Sequence, residues 1–564
     1  LRFPDAPPAF RRGLAQTLQE EQLHFRLYLE RMQLFGVSFG EVPVNDFFWR
    51  CVADMAAPVD FVRRMSLVFE QANLDFARHY RDRFAEAGDP ETAKILHKVL
   101  EDEEGHVRLG LHWFRAWKPP GQSDWDFFVE GLEEPLGPSR AKGPIFQGDL
   151  RKRLGFDEEF VEKLSLWARS RGRPPLVWAM NASAESQVAR NSPGYTPPLQ
   201  LQELDEDLAG QLLFLAARED VVLLPRSPSL AWLRSLRDAN VPLPETVSSV
   251  AELEGRKLSG LCPWGQSPDM ARLEERLAPA CVTPPSARWG PGWREAYGKD
   301  LAVQLRRRLP SEAWLAPPWG EVCHSLADVE ALGARGGEIF VKARFKSSGR
   351  DALRLRPGQR CTEAQIRWLE RLFREQGSVV VEPWCRRRLD LSFHYDLGER
   401  ASFQGICRFF TTEDGRFAGA TVGPWQEDID ADLRRFLHGE GKDPRRMRRV
   451  AEEIGKLLEE ALLPRGVRGP VGVDAFVYED AEGLHLQPLL EINPRWTMGR
   501  LALRLGARVH SGSKARLELL PLKDPLPPPE MSLRDGLWEQ GVIYTTDYEK
   551  CRRIVGRVRV ERRA

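Results

Sequence analysis

The stretch that decides the fold of the C-terminal half is GPVGVDAFVYEDAEGLHLQPLLEINPRW, residues 469–496. Apolar residues are spaced as in strands on both sides of the polar segment 479–483, which predicts two neighbouring strands joined as a hairpin. Glu491 and Asn493 are two residues apart and share one strand face, and Asp474 on the neighbouring strand can face the same point. Converging carboxylate and amide oxygens suit Mg²⁺ bound to phosphates, so the hairpin predicts a magnesium site. The alternative is a hairpin with solvated charges at one end.

Two upstream stretches fit a nucleotide site next to this hairpin. EIFVKARFKSSGRDALRLRP, residues 338–357, predicts two strands around a short loop, and Lys342 on the first strand can direct its ammonium group at phosphate oxygens. SVVVEPW, residues 378–384, predicts a strand that ends at Glu382 and Trp384, where an adenine edge and ribose hydroxyls can be met. Each stretch alone is more typical of an ordinary hairpin or core strand. The loop offers backbone N–H groups and a guanidinium that can close over phosphates, from Ser347, Ser348, Gly349 and Arg350.

The strand lysine, the SSGR loop, VEPW, VDAF and EINPR, in this order over about residues 290–510, resemble the ATP-grasp superfamily, with EINPR as the most specific element. The resemblance implies an ATP-dependent carboxylate–amine ligase, in which Mg-ATP phosphorylates a substrate carboxylate and an amine attacks the acyl phosphate. It implies that Arg495 and Lys342 are the catalytic groups. The Mg²⁺ ligands that it implies are Asp474, Glu491 and Asn493. The residues that it implies for ATP are Lys299 in YGKDLAVQL, Lys342, Ser347, Ser348, Gly349, Arg350, Glu382 and Trp384.

The N-terminal part carries two ExxH pairs, Glu21 with His24 and Glu103 with His106, in stretches that predict long helices. A carboxylate and an imidazole three residues apart project from the same helix face, so each pair can ligate one metal ion. Glu70 lies centrally in a helix between them and suits a bridging carboxylate. One ExxH is usually an ordinary surface arrangement, but two in core-facing stripes favour a metal site, because buried charges need partners. The first stripe also contains Leu14, Leu18 and Tyr28, and the charges predicted to be solvated are Glu101, Asp102 and Glu104.

Four stretches, EEQLHFRLYLERM, NDFFWR, FEQANLDFARHYRDRF and VLEDEEGHVRLGLHWF, resemble the ferritin-like superfamily and, more narrowly, a bacterial family labelled a domain of unknown function. The resemblance covers about residues 1–170 and implies an all-α four-helix bundle with two iron or manganese ions that reacts with dioxygen. The ligands that it implies are Glu21, His24, Glu70, Glu103 and His106. In that family another helix with one Glu comes first, so we expect this chain to lack that helix. The helices predicted here cover about residues 10–34, 60–87 and 90–117.

The fusion of these two parts predicts a bifunctional biosynthetic enzyme. It would join a small-molecule carboxylate to an amine, and its ferritin-like part would act as a di-iron oxidase or oxygenase on a small metabolite. One alternative is a hydroxylase similar to tRNA-modifying di-iron enzymes, with RNA as substrate. The other is a ligase that carries a structural or metal-storage bundle.

The length of 564 residues exceeds what one hydrophobic core can hold and predicts a multidomain chain. Lys plus Arg and Asp plus Glu are equal at 82 each, which argues against a nucleic-acid partner. Scattered cysteines without a CxxC pair fit the reducing cytoplasm, and no apolar run predicts a membrane span. A homodimer is compatible with the sequence. The predicted domains are a ferritin-like bundle at 1–170, a pre-ATP-grasp α/β domain with linker at 171–290, an α+β ATP-grasp domain at 291–515 and a C-terminal tail at 516–564.

Overall fold

The chain forms two compact units, Leu1–Arg173 and Pro174–Ala564. The first is helical and the second is α/β. No helix within the described residues has the length and apolar character that a membrane crossing requires. The computed structural model describes residues 3–41, 47–53, 55–132, 136–143, 145–166, 174–191, 195–253, 256–282, 289–345, 352–412, 417–441, 443–522 and 526–563.

The N-terminal unit is helical because long amphipathic segments alternate with helix-stopping residues. α1 (Pro8–Leu34) ends where the sequence predicts. α5 (Pro90–Trp117) also begins as predicted, since Asp89 accepts the backbone N–H of Thr92 at 3.0 Å and a proline opens the helix. The other α-helices are α2 (Phe47–Val52), α3 (Pro58–Phe61), α4 (Gln71–Glu86), α6 (Asp124–Glu130), α7 (Gly148–Leu154) and α8 (Glu158–Leu166), and a 3₁₀ helix spans Pro138–Ala141.

A π-helix interrupts the segment that was expected to be one α-helix over about residues 60–87. It spans Val62–Glu70 and runs without a break between α3 and α4. The hydrophobic spacing that predicts a helix does not distinguish the two hydrogen-bond patterns over so few residues, so the sequence prediction missed it. π-helical turns are frequent at functional sites, and Glu70 is the last residue of this one.

One face of α1 remains open to solvent. Leu18 and Tyr28, expected in the core-facing stripe, are 60% and 37% exposed, whereas His24 from the same stripe is 2% exposed. The stripe prediction is therefore wrong for Leu18, whereas Tyr28 is partly covered, and burial and the charges of Glu103 and Glu21 raise its pKa to about 12. The reason is that, within the described residues, α1 packs against α5 and is covered on that side.

A fully buried ion pair fixes α4 to the region around α7. Arg151 donates from Nη1 to Asp75 Oδ1 at 2.7 Å and from Nη2 to Oδ2 at 3.0 Å. Asp75 also accepts the backbone N–H groups of Gly143 and Gln147, each at 2.8 Å. The buried charges are thus hydrogen-bonded as well as paired, which is the condition for tolerating them in a core.

In the C-terminal unit the described strands form three sheets. The parallel sheet has the order β3-β2-β1-β4, the small antiparallel sheet β5-β8-β6-β7, and the large sheet β13-β12-β9-β10-β11-β14-β17-β16-β15. The strands are β1 (Leu176–Ala179), β2 (Val221–Leu223), β3 (Glu245–Val247), β4 (Gly260–Pro263), β5 (Glu321–Cys323), β6 (Ile339–Ala343), β7 (Ala352–Leu355), β8 (Val379–Pro383), β9 (Arg387–Leu397), β10 (Ala401–Thr411), β11 (Phe417–Val422), β12 (Gly469–Asp480), β13 (Gly483–Asn493), β14 (Ser513–Pro521), β15 (Glu530–Arg534), β16 (Leu537–Tyr544) and β17 (Ile554–Arg562).

Helices cover or connect these sheets. They are α9 (Ala184–Arg190), α10 (Leu199–Leu208), α11 (Leu230–Asp238), α12 (Pro268–Leu277), α13 (Pro291–Ala296), α14 (Lys299–Arg306), α15 (Leu326–Ala334), α16 (Glu363–Gln376), α17 (Ala431–Leu437), α18 (Arg446–Leu462) and α19 (Met498–Gly506). Short 3₁₀ helices span Ala209–Phe214, Val250–Leu253, Ala278–Ala280 and Leu463–Arg465.

Two segments have more regular structure than the sequence indicated. The end of the predicted α/β domain with linker at 171–290 contains β4 and α12, and α13 begins directly after it. Their prolines Pro268 and Pro291 open helices, where a missing N–H costs nothing. The expected C-terminal tail forms β15, β16 and β17, which continue the large sheet, because apolar residues alternate along β17.

The large sheet has one apolar face and one polar face where β9, β12 and β13 meet. Val471, Val473 and Phe393 belong to the core beneath the sheet. The neighbouring residues along each strand, which include Asp474 and Ser392, point to the opposite face, because side chains alternate along a strand. This polar face carries the candidate nucleotide site.

Candidate nucleotide and metal sites

Strand register brings the three predicted magnesium ligands together. Glu491 lies directly opposite Asp474, and Asn493 lies opposite Gly472 on the same pair of strands. Asn493 donates from Nδ2 to Asp474 Oδ2 at 3.2 Å. Burial and then the nearby charge of Glu491 raise the pKa of Asp474 to about 7. Two carboxylates held this close repel each other, so the pair favours a cation between them.

The two predicted phosphate-contacting lysines reach the same region from different elements. Lys299, at the start of α14, forms an ion pair with Glu491, and Lys342 on β6 forms one with Glu382. Both lysines are 8% exposed. Burial alone would lower the pKa of Lys299, but the carboxylates of Glu491 and Glu185 outweigh it and raise the pKa. Burial lowers the pKa of Lys342 despite the charge of Glu382.

Arg306 connects the small antiparallel sheet to the large sheet. It pairs with Glu382 on β8 and donates from Nη2 to the carbonyl oxygen of Leu490 on β13 at 3.0 Å. Burial would raise the pKa of Glu382, but the charges of Lys342 and Arg306 outweigh it and lower the pKa to about 2. Glu382 therefore stays ionised, and its carboxylate pairs with both cations.

Arg495 is oriented by an acid from the segment that precedes the large sheet. Its Nε and Nη2 atoms donate to Glu185 Oε1 on α9 at 3.0 and 2.5 Å, and Nη2 also donates to Asn493 Oδ1 at 3.2 Å. Burial would raise the pKa of Glu185, but the charges of Arg495 and Lys299 outweigh it and lower the pKa. The guanidinium thus lies next to the magnesium ligands that the sequence predicted.

The remaining predicted nucleotide contacts are less closely gathered. Trp384 is 39% exposed, packs near Phe340 with ring centroids 5.4 Å apart, and lies under the Arg354 guanidinium at 4.1 Å. Phe340, Lys342 and Glu382 share that face of the small antiparallel sheet by strand register. The predicted loop residues Ser347, Ser348, Gly349 and Arg350 lie outside the described residues.

In the helical unit, both ExxH pairs point into one cluster. Single ligand atoms of Glu21, Glu103 and His106 all lie within 4.8 Å of one another. Glu21 Oε1 is 3.5 Å from His24 Nδ1 and 3.4 Å from His106 Nδ1, and His106 Nδ1 is 3.5 Å from Glu103 Oε2. Both imidazoles therefore turn the same nitrogen toward the cluster. Asn73 donates to the other oxygen of Glu103 at 2.6 Å.

Each histidine is held from behind by an acid on the opposite helix. His24 on α1 contacts Asp102 Oδ2 on α5 through Nε2 at 2.9 Å, and His106 on α5 contacts Glu20 Oε2 on α1 through Nε2 at 2.8 Å. An acid that accepts the Nε2 proton leaves Nδ1 with a free electron pair toward the cluster. This reciprocal pairing is the arrangement that orients metal-binding histidines.

The interior of the cluster holds acids and an imidazole nitrogen without hydrogen-bond partners among the described residues: Glu70 Oε2, Glu103 Oε2 and His106 Nδ1. Burial and then the charge of Glu103 raise the pKa of Glu70 to about 7. Burial would lower the pKa of His106, but the nearby carboxylates of Glu103 and Glu70 outweigh it and raise the pKa to about 9. Buried oxygen and nitrogen donors without partners are the groups that a metal ion would satisfy, so the residues present fit iron or manganese.

Several functional candidates escaped the sequence reasoning. Glu20 was not singled out, and Asp102 was wrongly expected to be solvated; it pairs with His24 because the two helices pack side by side. A signal existed, since an acid directly precedes the Glu of both ExxH pairs, giving EExxH and DExxH. Glu185 and Arg306 had no such signal, because their contacts join segments far apart in the chain.

Comparison with protein families finds a match for the N-terminal region. Residues 1–162 match a family described as "Protein of unknown function (DUF455)". A curated relative, an uncharacterized protein of Haemophilus influenzae (strain ATCC 51907 / DSM 11121 / KW20 / Rd), is 31% identical over 162 residues, which is 27% of this chain and 54% of the relative. The chain thus spans about half the length of the curated relative that it matches.

Comparison with solved structures finds distant likenesses. N5-carboxyaminoimidazole ribonucleotide synthetase from Thermus thermophilus is 16% identical, with 64% of this chain and 92% of that chain covered and a TM-score of 0.35. The Staphylococcus aureus synthetase complexed with ADP is 14% identical, with 56% and 80% covered and a TM-score of 0.33. The biotin carboxylase domain of 2-oxoglutarate carboxylase from Hydrogenobacter thermophilus, in complex with MgADP, is 13% identical, with 69% and 86% covered and a TM-score of 0.37.

These sequence identities and TM-scores are low, and the candidate site is defined by its side-chain geometry alone. The family match agrees with the narrower N-terminal resemblance noted in the sequence, to a bacterial family labelled a domain of unknown function.

Proposed function

We propose that the α/β unit is an ATP-dependent ligase of the ATP-grasp type that joins a small carboxylic acid to an amine. The observation that carries the proposal is the convergence of acids and bases from separate elements on one polar face. Asp474 and Glu491 face each other there, Lys299 pairs with Glu491, and Arg495 contacts Asn493. Acids that hold a divalent ion beside buried cations that hold phosphates are what phosphoryl transfer needs.

The site residues would divide into magnesium ligands, phosphate-binding lysines and one arginine that stabilises the transferred group. Asp474, Glu491 and Asn493 would hold Mg²⁺, which neutralises phosphate charge, and Lys299 would exchange its contact with Glu491 for a phosphate oxygen. Lys342, released in part from Glu382, would contact a second phosphate. Arg495, oriented by Glu185, would stabilise the charge that develops on the transferred group. The substrate carboxylate would take the γ-phosphoryl group, with release of ADP, and an amine would then displace phosphate to form the amide.

Titration of the full chain with MgADP tests this proposal. We expect binding, and we expect Asp474→Asn to weaken it by about 100-fold or more, because the substitution replaces a carboxylate ligand by an amide in a buried site. The matched control is Glu482→Gln, in the exposed turn of the same hairpin, which should bind as the unsubstituted chain does. A folded chain that does not bind MgADP would sink the proposal.

We propose as a second function that the helical unit is a ferritin-like four-helix bundle with a two-metal centre of iron or manganese. The cluster of Glu21, Glu103 and His106, together with His24 and Glu70, supports it. The bound metal would supply the reduction of dioxygen coupled to oxidation of an organic substrate. Glu20 and Asp102 would keep the two imidazoles oriented, with Nδ1 available to metal.

Metal analysis of the full chain discriminates this second function from its alternatives. About two iron or manganese ions per chain, the number typical of this bundle type, with an optical change on exposure to dioxygen, would support an oxidase or oxygenase. Metal without a response to dioxygen favours storage, and a metal-free unit favours a structural role. RNA binding that weakens steeply with salt would support a hydroxylase acting on tRNA instead.

The proposed organisation combines these functions in one bifunctional biosynthetic enzyme. We propose domain boundaries after residues 170 and 290, the cytoplasm as location and a homodimer as a compatible assembly; the segment after residue 515, predicted as a tail, belongs to the large sheet. The two sites are in separate units, so each can be disabled by substitution without touching the residues of the other.

A further inference from the structure

A buried arginine on the polar face of the large sheet lacks partners for part of its guanidinium. Arg500 lies in the first turn of α19 and is 7% exposed. Its Nη2 atom donates to Asp396 Oδ2 at 2.7 Å. Among the described residues, Nε and Nη1 of Arg500 are buried and have no hydrogen-bond acceptor. Nothing in the proposed ligase mechanism above uses this cation.

Strand register relates Arg500 to the candidate nucleotide site. On β9, Ser392 lies opposite Asp474, His394 lies opposite Gly472, and Asp396 lies opposite Pro470. These three β9 side chains share the polar face with the magnesium ligands, because each is two residues from the next. Asp396 is four residues beyond Ser392, about 13 Å along the strand at the usual rise per residue. Arg500, which pairs with Asp396, therefore lies at the opposite end of this polar face from the magnesium ligands.

Between the magnesium ligands and Arg500, the described polar face carries the neutral side chains of Ser392 and His394. His394 is buried and contacts Ser392 Oγ through Nε2 at 2.8 Å. Burial and then the charge of Arg500 lower the pKa of His394 to about 3, so the imidazole is neutral at physiological pH. Gly499 allows α19 to approach, since a Cβ there would lie 2.7 Å from His394 Nε2 and 2.9 Å from Ser392 Oγ. Arg500 is the buried cation at this end of the described face, and the exposed Arg504 follows it one turn later on α19.

We infer that Arg500 binds a second anionic group of the acid substrate, so that the ligase acts on acids that carry two negative charges. This inference rests on the proposed ligase function. The carboxylate to be phosphorylated would lie near the magnesium ligands, and the other anionic group would accept hydrogen bonds from Arg500. An acid with a neutral tail would leave the buried N–H groups of Arg500 unpaired. We therefore expect monoacids to be poorer substrates than diacids.

Hydroxylamine provides a test that needs no knowledge of the natural amine, because it converts an activated acid to a hydroxamate with release of ADP and phosphate. The probes are the diacids succinate, glutarate, adipate and suberate, compared with butyrate and hexanoate as monoacids. We expect the best diacid to exceed the monoacids in kcat/KM by about 100-fold, as for a site whose buried polar groups would otherwise be unpaired. Equal rates for monoacids and diacids would overturn the inference.

Substitutions then assign the effect to Arg500. Arg500→Gln should raise KM for the best diacid by about 100-fold with little change in kcat, and Arg500→Lys should recover part of the loss. Arg504→Gln, at an exposed position of the same helix, is the matched control. Asp396→Asn leaves Arg500 in place and removes its partner, so KM for the diacid should fall. An unchanged KM in Arg500→Gln, or a higher KM in Asp396→Asn, contradicts the inference even if one variant folds poorly.

MgADP binding distinguishes failure of this inference from failure of the ligase proposal. Arg500→Gln should bind MgADP with an affinity within about two-fold of the unsubstituted chain, because Arg500 lies away from the nucleotide residues. A chain that binds MgADP but forms no hydroxamate from any of the diacids overturns the assignment of the acid class alone. A chain that does not bind MgADP overturns the ligase proposal itself.

Discussion

At the candidate nucleotide site, Glu491→Gln is the substitution for which we expect a small change in the free energy of unfolding and a large change in MgADP binding. It removes one negative charge and keeps the shape of the side chain. Lys299, 8% exposed, loses the carboxylate with which it pairs. Breaking a buried pair from one side typically costs about 3–5 kcal/mol. Here Glu185 still faces Lys299, and the repulsion that raises the pKa of Asp474 is relieved. We therefore expect a loss of only about 2 kcal/mol in the free energy of unfolding.

The functional effect should be larger than this structural one. Ligand at about 100 times its Kd stabilises a protein by about 2.7 kcal/mol. If Glu491→Gln weakens MgADP binding by about 100-fold, the same concentration stabilises the variant by about 0.4 kcal/mol. Calorimetric titration with MgADP measures the Kd, and thermal unfolding with and without MgADP measures the stabilisation.

The matched control for Glu491→Gln is Glu482→Gln, in the exposed turn of the same hairpin. It should match the unsubstituted chain in both measurements. A folded Glu491→Gln protein that binds MgADP within about three-fold of the unsubstituted chain, a difference of less than about 0.7 kcal/mol, would refute the assignment of Glu491 as a magnesium ligand.

Other substitutions test the remaining parts of the molecule. His106→Ala should abolish iron or manganese binding, measured by elemental analysis, and leave MgADP binding intact. Asp102→Asn should weaken metal binding by about 10–100-fold in a competition titration with a chelator, and the exposed control Glu101→Gln should not. The pKa of His394 is lowered to about 3 in the folded chain, so the unfolded chain binds an extra proton below about pH 6.5 and stability falls as the pH falls. Relative to His394→Gln, the unsubstituted chain should lose about 1.6 kcal/mol between pH 6.5 and 5, measured by denaturant titration at both pH values. Asp75→Asn should cost the helical unit about 3–5 kcal/mol by the same method, because Arg151 is left buried without its charge partner.

The parts of the candidate sites that depend on local spacing were predictable from sequence. Glu491 and Asn493 share a strand face because they are two residues apart, and the structure sets Asp474 opposite Glu491. The same logic gave His106 beside Glu103 on α5. Period-two and helical spacing are properties of a single segment, so no knowledge of the rest of the fold was needed.

The parts that depend on packing between distant segments were not predictable. Glu185 orients Arg495 across 310 residues, and no local pattern links the two. The reciprocal contacts of His24 and His106 require α1 and α5 to lie side by side, which one sequence does not reveal. The π-helix that ends at Glu70 escaped because its hydrophobic spacing over nine residues resembles that of an α-helix.

Charge balance gives the two clusters different requirements. The described nucleotide cluster contains equal numbers of acids and bases, namely Glu185, Glu382, Asp474 and Glu491 with Lys299, Lys342, Arg306 and Arg495. Bare Mg²⁺ would upset this balance, whereas a nucleotide brings the negative charge that the displaced lysines need. We therefore expect Mg²⁺ to bind together with a nucleotide rather than alone.

The helical cluster contains more acids than bases. Its described acids are Glu20, Glu21, Glu70, Asp102 and Glu103, and the lysine paired with them is Lys98. With neutral histidines and all acids ionised, five negative charges and one positive charge leave a net charge of −4, which two divalent ions would cancel. Without metal, the cluster reduces this charge by holding protons, as the raised pKa values of Glu70 and His106 indicate. Metal entry should therefore release protons, since the ligands must give them up to bind.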